Sequence, residues 1–386
     1  MPSKHAKLSP SSAERWINCP GSIALSELCP TPSGSSYTEE GTWAHALCEA
    51  KLKRFIGELK GGVYTRAVNR VKRSGYYDGE MEESSDFYLE HVTEIFNGAG
   101  DDAELLVEQQ FSLDKYVPES FGTSDAVVIG GGKIEVIDFK YGKGVKVDAK
   151  GNPQLRLYGL GAADLFSYLY DINTVRMTII QPRLDWVSTE ELSLSELKDW
   201  ATNTVAPQAK KAADGVEELS CGDWCRWCPA KTLCRVRAEA NLELAKMDFK
   251  EPPLLTKEEI GEVLAKADAL KSWSKEVNDY ALAQAIAGEH FDGWKLVEGR
   301  SNRKIIDELG AVKKLTEAGF DADVLYKPRE LYGITQLEKT VGKKKLAEIL
   351  GDFIEKPPGA PKLAPESDPR KPINSLEEAA KDFKEE

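Results

Sequence analysis

The sequence lacks features that would place it in several large classes of protein. Its amino terminus, MPSKHAKLSPSSAERW, has no apolar stretch of the kind that forms the centre of a signal peptide. No apolar run approaches the roughly 20 residues that a membrane-spanning helix needs. No G-x-x-x-x-G-K-[ST] loop occurs, so we do not expect the chain to hydrolyse ATP. These absences predict an intracellular, cytoplasmic protein without a membrane partner.

The chain also lacks an excess of positive charge. It carries 51 Lys and Arg against 64 Asp and Glu, a formal net charge of −13, which argues against a uniformly basic surface for nucleic acid. A local basic groove remains compatible with this balance, because binding depends on where the charges sit. The run from Lys51 to Arg73 is the candidate, and both a phosphate-tracking role and a solvated helix face are open for it. Its candidate DNA contacts are Lys51, Lys53, Arg54, Arg70, Lys72 and Arg73, to which the run adds Lys60 and Arg66.

Cysteines are concentrated in one short segment. Four of the seven lie between Cys221 and Cys234, both included, and such clustering in an intracellular chain indicates metal ligation rather than disulfides. The C-x₂-C-x₅-C pattern of Cys225, Cys228 and Cys234 needs a fourth ligand for a Cys₄ site, and Cys221 lies close by in the chain. Both Zn²⁺ and an iron–sulfur cluster accept four cysteines, and the spacing alone does not separate them.

Acidic residues and a lysine occur on two successive strands within FGTSDAVVIGGGKIEVIDFKYGKGVKVDAKGNPQLRLY. We predict strands over Ser124–Ile129 and Lys133–Phe139, joined by a glycine turn. The first carries Asp125, and the second leads through Asp138 to Lys140 on the same strand face. Carboxylates that hold a hard cation, beside a lysine that orients water, are what metal-assisted phosphodiester hydrolysis needs. A buried ion pair between Asp138 and Lys140 is the alternative interpretation.

Neighbouring predicted elements add further polar residues. A helix that begins at Pro153 places Gln154 and Tyr158 one turn apart on one face. Another helix, over Glu39–Phe55, carries His45. The strand predicted over Leu105–Leu113 carries Glu108, and a fourth strand is predicted over Val175–Gln181.

These motifs resemble those of a known enzyme superfamily. GTSD, IDFK and QLRLY resemble the G-x-x-D, D-x-K and Q-x-x-x-Y of the RecB-like branch of PD-(D/E)XK nucleases, and His45 matches the upstream histidine of that branch. The segment CGDWCRWCPAKTLC, with Cys19 in WINCP, resembles the cysteine pattern of its iron–sulfur members. Those members include CRISPR-associated exonucleases, helicase–nuclease subunits and phage-encoded proteins. The resemblance covers roughly Ser9 to Arg237.

The resemblance implies an α/β fold. It has a PD-(D/E)XK restriction-endonuclease-like core, in which helices flank a mixed central sheet, together with a Cys₄ clasp and a helical carboxy-terminal region. In chain terms we expect a nuclease domain with its cluster over 1–245, a mainly helical accessory domain over 246–355 and a disordered tail over 356–386.

The resemblance also implies roles for single residues. Mg²⁺ or Mn²⁺ would be held by Asp125 and Asp138 with His45, and Glu108 is either a further ligand or a cross-strand ion-pair partner. A [4Fe–4S] cluster would be held by Cys19, Cys225, Cys228 and Cys234, with Cys221 as the rival fourth ligand and Zn²⁺ as the alternative metal. The implied catalytic residues are Asp125, Asp138, Lys140, Gln154 and Tyr158.

The function expected on these grounds is a metal-dependent DNA nuclease, in the form of an exonuclease on single-stranded or frayed ends in replication or recombination. Its partners would be single-stranded DNA and a replication, recombination or single-strand-binding protein. Two other hypotheses remain open from the sequence. One is a module with a nuclease-like fold that binds DNA ends or recruits a partner. The other is a zinc-stabilised protein without catalysis.

Overall fold

Five β-strands form one mixed sheet at the centre of the protein. The computed structural model describes residues 6–29, 36–245, 256–295, 297, 307–317, 334–350 and 353–354. The strands follow chain order across the sheet. The third and fourth strands are parallel, and the other neighbouring pairs are antiparallel. The expected mixed α/β class is therefore confirmed. The strands are β1 Glu104–Ser112, β2 Phe121–Gly130, β3 Lys133–Phe139, β4 Thr174–Gln181 and β5 Trp186–Ser193.

A tight hairpin joins β2 to β3. Gly131 and Gly132 have φ angles of 57° and 75°, the left-handed conformation that two-residue hairpin turns require and that glycine adopts without strain. The strands pair as far as Ala126 opposite Ile137. One step further along the same register, Asp125 comes opposite Asp138.

Helix α6 (Pro153–Phe166) makes the crossover from β3 to its parallel neighbour β4. Asn152 caps it, because its side chain accepts hydrogen bonds from the backbone N–H groups of Gln154 and Leu155 at 3.0 and 3.3 Å. The helix lies close to the sheet at Gly159, where an added Cβ would stand 2.6 Å from Cγ1 of Val175. This packing brings the first turn of α6 to the end of β3.

Helices cover both faces of the sheet. The α6 face carries a core that includes Trp16, Val127 and Leu197, and the opposite face carries one that includes Leu47, Tyr88 and Val128. On the α6 side the helices are α1 Ala13–Asn18, α2 Ser22–Glu27, α7 Leu194–Trp200 and α8 Ala206–Ala213, with α7 running into α8 through a π-helical stretch, Ala201–Val205. On the other side they are α3 Ser36–Phe55, α4 Gly61–Lys72 and α5 Gly79–Gly98.

The described residues beyond 234 are mainly helical. Two of these helices, Ile334–Val341 and Lys343–Leu350, pack against α5, where Leu346 is buried. The tail predicted over 356–386 lies outside the described residues. No helix in the described ranges is long and apolar enough to cross a membrane. The helices are α9 Arg235–Ala245, α10 Lys257–Ile286, α11 Glu308–Glu317, α12 Ile334–Val341 and α13 Lys343–Leu350.

Candidate active site and cysteine pocket

Asp138 and Lys140 form an ion pair where β3 ends. Asp138 is only 4% exposed, and Nζ of Lys140 lies 2.9 Å from its Oδ2. The ammonium of Lys140 is the partner of that oxygen, which has no other hydrogen-bond donor. Burial raises the pKa of Asp138 although Lys140 opposes the shift. Burial lowers the pKa of Lys140, but the charge and hydrogen bond of Asp138 and the charge of Asp125 together raise it by more. Lys140 therefore stays protonated.

Asp125 pairs with His45 of α3. Nδ1 of His45 lies 3.1 Å from Oδ1 of Asp125, and the backbone N–H of Phe139 donates to Oδ2 at 2.7 Å. Burial lowers the pKa of His45, but the charge and hydrogen bond of Asp125 and the charge of Asp138 together raise it, to about 9. Burial likewise opposes ionisation of Asp125, and His45 then brings its pKa below the usual value. In this state the two groups are an imidazolium–carboxylate pair, which has to lose its proton before His45 can ligate a metal.

Glu108 has an unusual backbone for a strand residue. Its φ is 54°, a left-handed conformation that side chains with a Cβ rarely adopt. Strict alternation would put Val107 and Phe111 on one face of the sheet, yet Val107 packs on the α3–α5 side and Phe111 on the α6 side. This interruption of the alternation lies opposite Asp125. Burial, together with the charges of Asp125 and Glu49, raises the pKa of Glu108 to about 7. Such local strain is a frequent mark of a functional position.

Gln154 and Tyr158 of α6 continue the polar network. Nζ of Lys140 donates to Oε1 of Gln154 at 3.2 Å, and Nε2 of Gln154 donates to Oδ1 of Asp138 at 3.3 Å and to the Tyr158 hydroxyl at 3.0 Å. Gly122 leaves room for the tyrosine ring, since an added Cβ there would stand 2.6 Å from its Cε1. The G-x-x-D glycine and the Q-x-x-x-Y tyrosine are thus in direct contact.

Most of the predicted basic residues are exposed, with one clear exception. Lys51 is buried and pairs with Glu82 at 2.8 Å and with Asp86 at 2.5 Å, so its charge is used inside the protein. Lys53 pairs with Glu49 at 2.6 Å. The remaining predicted contacts, Arg54, Arg70, Lys72 and Arg73, are exposed, and the first three of these lie over the rings of Tyr64, Trp43 and Tyr77.

Two residues that the sequence reasoning missed hold the chain next to Lys140. Gln181 is buried, and its amide donates to the carbonyls of Gly142 and Val145 at 2.5 and 2.9 Å. Arg183 pairs with Glu40 of α3 at 3.1 Å and with Glu80 of α5 at 2.8 Å. They lie at the end of β4 and just beyond it, and a polar QPR after an apolar strand was the available signal.

The cysteine residues predicted as cluster ligands line one pocket. It is bordered by Cys19, Cys225, Cys228 and Cys234, whereas Cys221 is exposed and lies outside this lining. The backbone N–H of Ser220 donates to Sγ of Cys19 at 3.4 Å. Burial raises the pKa of Cys19 and raises that of Cys225 to about 11. The cationic side chains that also line the pocket are Arg15, Lys231 and Arg237.

The side chains of the carboxylate site and of the cysteine pocket are of types that bind metals, although at neither place do they surround a single point. Within the described ranges, no three His, Cys, Asp or Glu side chains converge closely enough to hold one metal ion. The carboxylate site nevertheless has hard oxygen donors, and Oδ2 of Asp138 has no partner there except the Lys140 ammonium. The pocket offers four sulfur donors, which suit zinc or iron.

Fold and site together define a mixed α/β protein with a buried acid–lysine–glutamine network and a separate cysteine pocket. A family model described as "Protein of unknown function (DUF2800)" matches residues 5–371, and the chain belongs to that family. Among solved structures, the crystal structure of SSO0001 is 17% identical to this chain and matches 50% of this chain and 85% of its own, with a TM-score of 0.22. A likeness at that level carries no weight for fold or function.

Proposed function

We propose that this protein is a metal-dependent DNA nuclease of the RecB-like PD-(D/E)XK type. The observation that carries the proposal is the buried network at the end of β3. There Asp138, Lys140 and Gln154 contact one another, and the Asp125–His45 pair reaches the same strand through the backbone of Phe139. Withdrawing the charge of Asp138 from water is costly even with Lys140 as its partner, and a role in holding a cation explains why this chain does so.

The residues that would hold Mg²⁺ or Mn²⁺ are Asp125 and Asp138, with His45 in its neutral form and Glu108 as a further donor. A metal bound there would supply a nucleophilic water of lowered pKa and would neutralise charge on the phosphate. The raised pKa of Lys140 suits an ammonium that stabilises the negative charge developing on the phosphate better than it suits a base.

Gln154 is the positioning residue of this arrangement. It accepts from Lys140 and donates to Asp138 and to the Tyr158 hydroxyl, so its amide has a fixed orientation. The carboxylate and the ammonium are thereby held in one geometry before substrate arrives, which is the preorganisation on which electrostatic catalysis depends.

The order of elements supports the finer fold assignment. A helix with His45, then β1, β2 and β3, then the crossover helix α6 and the parallel strand β4 follow in the order that the resemblance implies. Fold alone does not license function, and the side chains at the end of β3 carry that part of the argument.

The cysteine pocket would hold a [4Fe–4S] cluster through Cys19, Cys225, Cys228 and Cys234. These four border a shared pocket, and the resemblance, not their arrangement, favours a polynuclear cluster over a single Zn²⁺. The cluster would join α1 to the segment before α9 as a structural clasp.

The form of the activity rests on the resemblance alone. It implies an exonuclease on single-stranded or frayed DNA, working with a replication, recombination or single-strand-binding partner. The helices beyond 245 are available for such a partner or for the DNA strand.

The test is cleavage of end-labelled single- and double-stranded DNA by anaerobically purified protein with Mg²⁺, Mn²⁺ or EDTA. We expect cleavage that needs the metal, is lost in Asp138→Asn and Lys140→Ala, and spares closed circular DNA. Glu135→Gln is the matched control, because Glu135 is a buried carboxylate of the same strand that bonds Thr178 instead of the site. Full activity in Asp138→Asn, or equal loss in Glu135→Gln, would contradict the proposal.

A further inference from the structure

An open groove runs between the cysteine segment and α10. It is lined by Arg226, Trp227, Pro229 and Leu233 on one side and by Tyr280 and Gln284 of α10 on the other. The rest of its lining is Cys29, Cys228, Lys231 and Thr232, so the groove borders the cysteine site, and no residue of the carboxylate site lines it.

Trp227 presents its ring to solvent in this groove. Its side chain is 81% exposed, whereas Trp224, three residues earlier, lines the cysteine pocket and donates its indole N–H to the Ser220 carbonyl at 3.2 Å. Trp224 is therefore the residue that shields the pocket, and that role does not explain Trp227. The guanidinium of Arg226 lies 5.4 Å from the centre of the Trp227 ring, a cation–π arrangement.

Ion pairs hold the α10 wall of the groove in place. Glu276 accepts from Lys231 at 2.7 Å and from Arg237 at 2.6 Å, so it bonds α10 to the cysteine segment through Lys231 and to α9 through Arg237. Tyr280 lies one turn after Glu276 on the same face of α10. The ion pairs of Glu276 therefore hold Tyr280 beside the same groove as Trp227, whether or not a ligand is bound.

The groove lies in a locally basic part of an acidic chain. The residues from Arg226 to Arg237 include four cations and no acid, although the whole chain carries −13. Lys231 and Arg237 share the single negative charge of Glu276, while Arg226 and Arg235 are exposed. A polyanion with flat apolar groups is the ligand that an exposed indole and nearby guanidinium groups complement.

We infer that this groove binds unpaired bases of single-stranded DNA, with a base stacked on Trp227 and phosphates near Arg226. Stacking on an aromatic ring tolerates any base and is typical of proteins that follow a single strand. The inference deepens the proposed function and rests on it in one respect, that the substrate is nucleic acid. It adds a site that would guide the strand rather than cut it.

The test measures binding in EDTA, where cleavage does not occur. The probe is a fluorescein-labelled oligothymidylate of about 20 nucleotides, a length that exceeds one such binding site. We expect Trp227→Ala to weaken binding about tenfold, in the range for loss of one base stack, and Trp227→Phe to retain most of the affinity. Trp294→Ala is the matched control, since Trp294 is 76% exposed and does not line the groove. The visible absorbance spectrum and thermal midpoint of each variant report whether the cysteine pocket and fold are intact.

A labelled strand of the same length without bases separates stacking from charge. Wild type and Trp227→Ala should bind this abasic strand equally. Unchanged oligothymidylate binding by Trp227→Ala, an equal loss on the abasic strand, or a loss only with the matching oligouridylate would overturn the inference. Because binding and cleavage are measured apart, a protein that cuts DNA without using Trp227 refutes only this inference. One that binds through Trp227 and never cuts refutes only the nuclease proposal.

Discussion

Glu108 carries a prediction at the scale of a single residue. Its left-handed φ of 54° destabilises the folded state by roughly 1–2 kcal/mol when a side chain is present. Glycine at this position would remove that strain but lower the stability by about 0.5–1 kcal/mol, because it gives the unfolded chain more conformational freedom. We expect Glu108→Gly to raise the free energy of unfolding by up to about 1 kcal/mol, because the strain is relieved. Cleavage should fall by about tenfold, as for an outer metal ligand. Urea denaturation and the end-labelled DNA assay measure the two effects.

Glu119 provides the matched control for this experiment. It has a φ of 53° and is exposed in the turn between β1 and β2. Glu119→Gly should bring a similar gain in stability without loss of cleavage. If Glu108→Gly also kept full activity, Glu108 would be a cross-strand residue with no part in metal binding.

The same scale shows which residues a sequence can reveal. Asp125, Asp138, Lys140 and Gln154 were singled out by the motifs GTSD, IDFK and QLRLY, and the structure brings Asp138, Lys140 and Gln154 into contact. Arg183 was missed, since its partners Glu40 and Glu80 lie more than a hundred positions away and no local pattern encodes such a pair. The burial of Lys51 escaped for the same reason, because its partners lie on α5.

Helix α10 carries a prediction at the scale of an element. Its link to the cysteine segment is Glu276, which holds Lys231 and the buried Arg237. We expect Glu276→Gln to lower the free energy of unfolding by about 2 kcal/mol, below the full cost of breaking a buried pair because Glu276 is partly exposed. Amide hydrogen exchange should rise along α10 while β2 and β3 remain protected.

A second ion pair on α10 serves as the control. Lys275 and Asp279 are 3.3 Å apart and both are exposed, so Asp279→Asn should cost no more than about 0.5 kcal/mol. Equal effects of the two variants would mean that Glu276 does not anchor the helix.

At the scale of elements, some strands and helices could be predicted from the sequence and others could not. The predicted β3 has the observed bounds because its apolar residues, Ile134, Val136, Ile137 and Phe139, lie between a glycine turn and a polar, glycine-bearing connection. β5, Trp186–Ser193, was missed: it pairs with β4 alone at the sheet edge and is largely polar and half exposed, so no apolar run marks it. α4, Gly61–Lys72, was seen only as a run of positive charge, because it is an exposed helix with little core contact beyond Val71.

The cysteine pocket joins distant parts of the whole molecule. Ser220 and Cys19 contact each other although 201 positions separate them in the chain. Nothing in the local pattern predicts that contact, and the resemblance supplied Cys19 where spacing alone favoured Cys221. The pocket closes the chain around the sheet and its helices, so its contents should govern the stability of the entire fold.

Substitution of the cysteines tests that closure. We expect anaerobically purified wild type to be brown, and Cys19→Ser to lose the visible absorbance and several degrees of thermal midpoint, because the clasp between α1 and the 225–234 segment is then broken. Cys221→Ser should keep both, since Cys221 is exposed and outside the pocket. The opposite pattern would make Cys221 the fourth ligand. A colourless wild type with stoichiometric zinc would replace the cluster by Zn²⁺ and leave the carboxylate site, which shares no residue with the pocket, to be judged by its own assay.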